Sequence, residues 1–367
     1  MIYLDNGATS LHKPDGVREA VLCALENCGN PGRGGYRASM NGAKTVLRCR
    51  ERAGFLFDCD PERVVMTQNC TQGLNMAIRT LVKAGDRVVI SGFEHNAVVR
   101  PLHGLGANMI VAGRKLFDPE DTLQRWEDAL KQRPRAAVFT HVSNVFGYIL
   151  PVAQMAQLCR QYQIPFVVDA AQSAGMLPVS LRDWGADFIA MPGHKGLLGP
   201  QGTGLLLCGA ELSPMQFGGT GSNSLQYEMP DFLPDAGEAG TLNVPGIAGL
   251  RAGLEFVKKQ GIDRIFQKEV TQARRCIRGL QELGYTVFSG ENQSGTVSFV
   301  PPIDCEEAAY RLGQQGIAVR AGLHCAPLAH ESAGTLESGT VRVSFGHDAC
   351  PEQTGAFLLA ARSLREK

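Results

Sequence analysis

Short apolar runs alternate with amphipathic stretches over the first two thirds of the chain. Val64-Val65-Met66, Arg87 to Ser91, Ala136 to His141, Phe166 to Asp169 and Phe188 to Met191 have the length and the β-branched or aromatic content of strands. Between them, Leu74 to Val82 and Val152 to Tyr162 place apolar residues at helical spacing. Runs that stay apolar instead of alternating read as strands covered on both faces. The pattern therefore predicts an α/β domain with a doubly wound, mainly parallel sheet. In such sheets ligands bind beyond the carboxyl ends of the strands. Thr71, His95, Asn144, Asp169, Gln172, His194 and Lys195 all follow predicted strands closely, which makes them the candidates for chemistry.

Near residue 250 the rhythm changes. Ile247 to Gln260 and Ile265 to Leu283 read as long helices, and Tyr285 to Phe288, Thr296 to Val300, Ile317 to Arg320 and Thr340 to Ser344 as short strands of an α+β unit. The expected division is an N-terminal segment, residues 1–12, packing on the small domain; a large domain, 13–250; and a small C-terminal domain, 251–367. The boundary falls within Gly246 to Gly253. Phe217 to Gly240, rich in Gly, Ser, Asn, Pro and Asp, is the longest candidate loop. It is either a disordered lid or a segment that a partner subunit orders.

Charge narrows the classes of partner. Lys plus Arg and Asp plus Glu balance at 36 each, which argues against nucleic acid or an acidic membrane surface. No apolar stretch approaches the roughly 20 residues that span a bilayer, and Met1 to Asp5 lacks the order of a signal peptide. Eleven dispersed cysteines without a Cys-x-x-Cys read as reduced thiols, so a cytoplasmic location is expected. His324-Cys325 with His330 or His347 has poor ligand spacing, and no metal is expected.

The candidate chemistry starts at Gly193-His194-Lys195, between the apolar run Phe188 to Met191 and the glycine-rich stretch Gly196 to Gly204. A lysine there is a phosphate clamp or, if desolvation favours its neutral amine, a nucleophile toward an aldehyde. Cys70-Thr71-Gln72-Gly73 opens a helix, so its N–H groups and the Thr71 hydroxyl suit a phosphate, or Thr71 is simply the N-cap. Asp169 ends a buried strand, where it either caps the next helix or holds a cationic partner such as a protonated pyridine nitrogen.

Taken together, these motifs resemble the fold-type I pyridoxal-phosphate (PLP) enzymes, specifically the class V aminotransferase family and its cysteine desulfurase and selenocysteine lyase group. The resemblance is carried in order by Tyr3 to Thr9, Asn30-Pro-Gly-Arg-Gly34, Glu94-His95-Asn96, Thr140 to Asn144, Val168 to Gln172, Gly193-His194-Lys195 and Gly240-Thr241-Leu242-Asn243. It implies pyridoxal 5'-phosphate as cofactor, joined to Lys195 as a Schiff base. By the same resemblance Asp169 keeps the pyridine nitrogen protonated, and His95 stacks on the ring and moves protons, a role its unperturbed pKa suits. Gln172 contacts the ring hydroxyl and Asn144 flanks it. Thr71, Gln72 and His194 belong to the cofactor site, with Thr71 and His194 on the phosphate and Thr241 reaching in from the second subunit of a homodimer. The family's serine two positions before the histidine is here Pro192, which has neither hydroxyl nor N–H, so one phosphate contact is missing or replaced.

Val319 to Ala326 resembles the family's Arg-x-Gly-x-x-Cys loop, and Gly339 to Ser344 its carboxylate-binding strand. Arg342 then grips the substrate carboxylate, with Asn144 and Arg320 also at the substrate; without the family context Arg342 is equally a surface arginine on an edge strand. Cys325 is the implied nucleophile, taking sulfur from L-cysteine as a persulfide and leaving L-alanine, with His324 and Arg320 helping its thiolate form. Seventeen positions separate Cys325 from Arg342, a spacing similar to the short-loop group, so a separate sulfur-acceptor protein is expected to come to Cys325. L-selenocysteine lyase activity, or another PLP-dependent lyase or aminotransferase activity, stands as the alternative.

Overall fold

The structure, a computed structural model, describes residues 1–32 and 34–365; Arg33 of the Asn30 to Gly34 motif lies outside them. Its strands, in chain order, are β1 (Ile2–Tyr3), β2 (Val64–Thr67), β3 (Arg87–Ser91), β4 (Asn108–Ala112), β5 (Ala136–Thr140), β6 (Phe166–Asp169), β7 (Phe188–Pro192) and β8 (Gly204–Cys208). They are followed by β9 (Thr286–Phe288), β10 (Thr296–Val300), β11 (Ile317–Ala318), β12 (Arg320–Gly322) and β13 (Thr340–Ser344).

Seven strands form one sheet in the order β2-β8-β7-β6-β5-β3-β4. Every pairing among β7, β6, β5, β3 and β4 is parallel, and β8 runs antiparallel to both of its neighbours. The reversal has a local cause, since the glycine-rich link from Gly193 to Thr203 is too short for a helical crossover. Successive strand residues serve opposite faces: Val64, Met66 and Val89 enter one apolar core, and Val65, Val88 and Ile90 the other. Each such side chain taken out of water contributes about 1.5–3 kcal/mol.

A second, antiparallel sheet has the order β12-β13-β10-β9 and encloses its own core, in which Val297, Phe299, Val341 and Val343 are fully buried. The stretch expected as one strand, Ile317 to Arg320, divides at Val319. Ile317 and Ala318 pair in parallel with Ile2 and Tyr3, whereas Arg320 to Gly322 pairs with β13. The chain start is thereby tied to the C-terminal unit, and helices Val244–Gln260 and Ile262–Glu282 connect the two sheets.

Residues 209–243 contain no regular element except a short 3-10 turn, Asp235–Gly237. Their far end is anchored. Both carboxylate oxygens of Glu238 accept from Arg50, at 2.8 and 2.7 Å, and Oε1 also accepts the Met66 N–H at 2.6 Å. Arg50 in turn donates to the Val64 carbonyl. Leu225 and Tyr227, farther back, are fully exposed.

Candidate active site

The carboxyl ends of β2, β3, β5, β6 and β7 surround a cavity of about 100 Å³. Thr71, His95, Asn144, Asp169, Gln172, His194 and Lys195 all line it. Lys195 lies three positions after the end of β7, and its amine makes no hydrogen bond among the described residues. Burial pushes the amine below its usual pKa, and the Asp169 carboxylate partly opposes this. Lys195 also borders a second cavity, of about 30 Å³, into which Glu269 projects with Oε2 buried and unpartnered.

Asp169 is 2 % exposed at the end of β6. Its Oδ1 accepts the Ala171 N–H at 2.8 Å and the Cys70 thiol at 3.4 Å, and no protein donor reaches Oδ2 among the described residues. Burial pushes the carboxyl up, and those two donors and Lys195 hold it down. Such a carboxylate is completed by a cationic donor at Oδ2. Cys70 as a donor to Asp169 escapes sequence reasoning, because the contact joins residues 99 positions apart.

The helix after β2 starts a turn earlier than its apolar spacing suggests, at Cys70. Asn69, not Thr71, is its N-cap, accepting the Gln72 N–H at 2.9 Å. This corrects the expectation for Gln72. Its N–H is taken, and its side chain turns back to accept the Gln68 N–H at 2.7 Å, outside the cavity. Thr71 lines the cavity, and its hydroxyl makes no hydrogen bond among the described residues.

His95 caps the next helix through Nδ1, which accepts the Ala97 N–H at 3.0 Å. A neutral ring so held carries its proton on Nε2. The expectation of an unperturbed histidine fails: burial, then the charge on Lys195, pull its pKa down to about 4, so at neutral pH it offers an Nε2–H donor. Glu94 beside it is fully buried and accepts from the Ser91 hydroxyl and, at 2.9 Å, from the Thr140 N–H, joining the ends of β3 and β5. Burial pushes Glu94 up to about 8.

Two expected contacts have partners of their own. Gln172 donates to the Gly7 carbonyl at 2.9 Å, and His194 Nδ1 meets the Thr9 hydroxyl at 3.0 Å, so the chain start forms one wall of the site. Thr241 is not brought there. It is exposed and borders a separate cleft of about 480 Å³ with Arg50 and Glu238.

Arg342 is 2 % exposed in β13, which has a neighbour on each side, so it is not an edge-strand surface residue. Nη2 donates to Asp5 at 2.7 Å and Nη1 to the Asn144 carbonyl at 2.9 Å. Both prongs are therefore engaged. A Cβ on Gly7 would lie 3.2 Å from the guanidinium carbon, so any other residue there would require Arg342 to give by a few tenths of an ångström. Arg320, exposed and directly cross-strand from Arg342, carries the accessible guanidinium.

Cys325 is exposed on the link between β12 and the helix Pro327–Ala333. His324 and Cys325 both take left-handed backbone angles, with φ of 52° and 56°. The loop is held on each side: the His324 carbonyl accepts from Asn144 Nδ2 at 2.8 Å, and the Cys325 carbonyl from the Asn96 N–H at 2.7 Å. The expectation that His324 assists the thiolate is corrected. Its ring is buried, stacked on His330 at 5.8 Å, and burial together with Arg342 pulls its pKa far down, so it carries no positive charge to lend.

Comparisons with known proteins agree with this geometry. The chain is 33% identical, over 98% of its own length and 92% of the relative's, to a protein of Pyrococcus abyssi described as a probable cysteine desulfurase. It is 30% identical to an Escherichia coli cysteine desulfurase, over 89% of this chain and 84% of that one. An apo cysteine desulfurase structure from Thermococcus onnurineus superposes with a TM-score of 0.92 at 31% identity, covering 100% of this chain and 94% of that one. The family model for class-V aminotransferases matches residues 2–357, and the chain belongs to that family.

Proposed function

We propose that this protein is a PLP-dependent cysteine desulfurase that moves the sulfur of L-cysteine onto Cys325 and releases L-alanine. The observation that carries the reading is that the Lys195 amine and Asp169, whose Oδ2 has no protein donor among the described residues, share a cavity whose lining residues Thr71 and His95 also border the groove of Cys325. The relatives named as cysteine desulfurases support it.

The residues present fit pyridoxal phosphate. Lys195 would hold its carbonyl carbon, Asp169 Oδ2 its ring nitrogen, and Thr71 and His194 its phosphate, while the buried, unpartnered Oδ1 of Asn144 is a further acceptor toward the cavity. When bound, this group withdraws electrons from the substrate carbon. The protein's own tasks are then distinct. Arg342, Arg320 and Asn144 orient the substrate carboxylate, His95 donates from Nε2, and Lys195 exchanges a proton with the substrate carbon. The Cys325 thiolate attacks the substrate sulfur. An S–S bond forms, the C–S bond breaks with its electron pair left on carbon, and carbon takes up a proton and leaves in alanine.

A homodimer accompanies this reading, with Thr241 serving the partner's site. In support, Thr241 does not line its own chain's cavity, and Leu22, Leu25, Leu47 and Phe55 are exposed on the first two helices. Eleven free thiols suit the reducing cytoplasm, and among the described residues no helix is long and apolar enough to cross a membrane. The test is a visible spectrum of the purified protein followed by incubation with L-cysteine, with persulfide and alanine measured together. Equal yields are expected, with Cys325→Ala losing both while retaining the cofactor band. Unchanged turnover of Cys325→Ala overturns the persulfide route.

A further inference from the structure

Cys325 opens on a groove of about 340 Å³ between the helices Cys70–Leu81 and Asn96–Gly104. Arg79 and Arg100, both exposed, line it together with Thr71, Asn75 and His95, and no carboxylate does. Among the described residues neither guanidinium belongs to an ion pair. Two uncompensated arginines, one on each flanking helix, make an anion-selective surface in a chain whose total charge is zero. The Cys325 loop is held at both His324 and Cys325 by the large domain, so sulfur carried there is collected where it stands.

Resting on the desulfurase reading, we infer that this groove docks an acidic, cysteine-bearing segment of the sulfur-acceptor protein, with Arg79 and Arg100 pairing with carboxylates that flank its thiol. Charge complementarity selects this occupant, because each guanidinium suits a carboxylate in a two-pronged pair. The transfer is a thiol exchange. The acceptor thiolate attacks the outer sulfur of the Cys325 persulfide, a new S–S bond forms on the acceptor, and the old S–S bond breaks. Cys325 departs as a thiolate and takes up the proton lost by the acceptor thiol, with no net oxidation.

The experiment loads the PLP-containing protein with one equivalent of L-cysteine and follows discharge of the persulfide to capped tripeptides Glu-Cys-Glu, Gln-Cys-Gln and Lys-Cys-Lys, and to mercaptosuccinate. Rates are compared per thiolate, since flanking acids raise a thiol's pKa. The acidic peptide is expected to react about tenfold faster than the neutral one at low ionic strength, with the lysine peptide slowest. High salt and the double substitution Arg79→Gln/Arg100→Gln should each reduce that preference to about twofold or less, and Arg79→Lys/Arg100→Lys should keep most of it. The neutral peptide's rate should stay within about twofold in the glutamine double variant, showing that its fold is intact. Equal rates for the three peptides, or a preference that survives the double variant, overturns the inference. A salt-sensitive rate with mercaptosuccinate above that of the acidic peptide overturns it in favour of a small free acid. Failure of the loading step, with neither persulfide nor alanine formed, removes the desulfurase reading itself and this inference with it.

Discussion

The surroundings of Lys195 and of Cys325 are built in opposite ways. Lys195 stands among five strand ends, and the side chains that share its cavity are hydrogen-bonded to their own surroundings: Asp169 through Ala171 and Cys70, and His95 through Ala97. Cys325 stands on a short loop in left-handed backbone, exposed, with main-chain carbonyls of the loop held by Asn144 and Asn96. The difference matches the roles proposed for them. A group that tunes a cofactor gains from fixed dipoles and exclusion of water, whereas a sulfur that must leave the protein needs to be reached from outside.

The largest expected effect comes from Lys195→Ala. Alanine release from L-cysteine should fall by about 10³-fold or more, and the visible cofactor band should be lost with it. If the band persists unchanged, Lys195 is not the attachment point and the contrast between the two regions collapses. Next is Asp5→Asn, which leaves the buried Arg342 without its charged partner. Loss of one member of so buried a pair costs about 3 kcal/mol, read as a lower urea midpoint, and the KM for cysteine should rise as the guanidinium reorients. An unaltered midpoint means that the Asn144 carbonyl alone holds Arg342.

Glu269→Gln should have the smallest effect, and it probes the buried region alone. Burial, reinforced by Asp348 and opposed by Lys268, pushes Glu269 up to about 8. The folded protein therefore holds a proton that the unfolded chain releases near its ordinary value of 4.5, so stability falls as pH rises from about 4.5 to about 8 and is level above that. The glutamine variant lacks this slope. It should match the parent near pH 4 and exceed it at pH 8.5, measured by urea unfolding at both pH values. A parent protein whose stability does not fall over this range shows that the second cavity admits enough water to ionise Glu269.

Why the cavity residues were legible in the sequence and others were not is a matter of range. Apolar runs mark buried strands, and the parallel arrangement gathers whatever follows them, so Lys195, Asp169 and His95 could be grouped from spacing and family motifs. Asp5 against Arg342 and Cys70 against Asp169 depend on how distant segments pack, which no local period records. Strand β4 is a partly exposed edge and β8 follows a glycine-rich link, so neither stands out by its local pattern. The charge states of His95 and His324 are illegible for the same reason as the long-range contacts: depth of burial sets them, and it exists only in the folded chain.

The clamp of Arg50 and Glu238 has a consequence for how two copies can meet. Strand β2 is an outer strand of the large sheet, and its outward Val64 carbonyl and Met66 N–H are the groups an added strand would use. The guanidinium and the carboxylate occupy both, imitating with two side chains the hydrogen bonds of a missing neighbour. That rim of the sheet is sealed against extension, so a second copy cannot lengthen the sheet at β2.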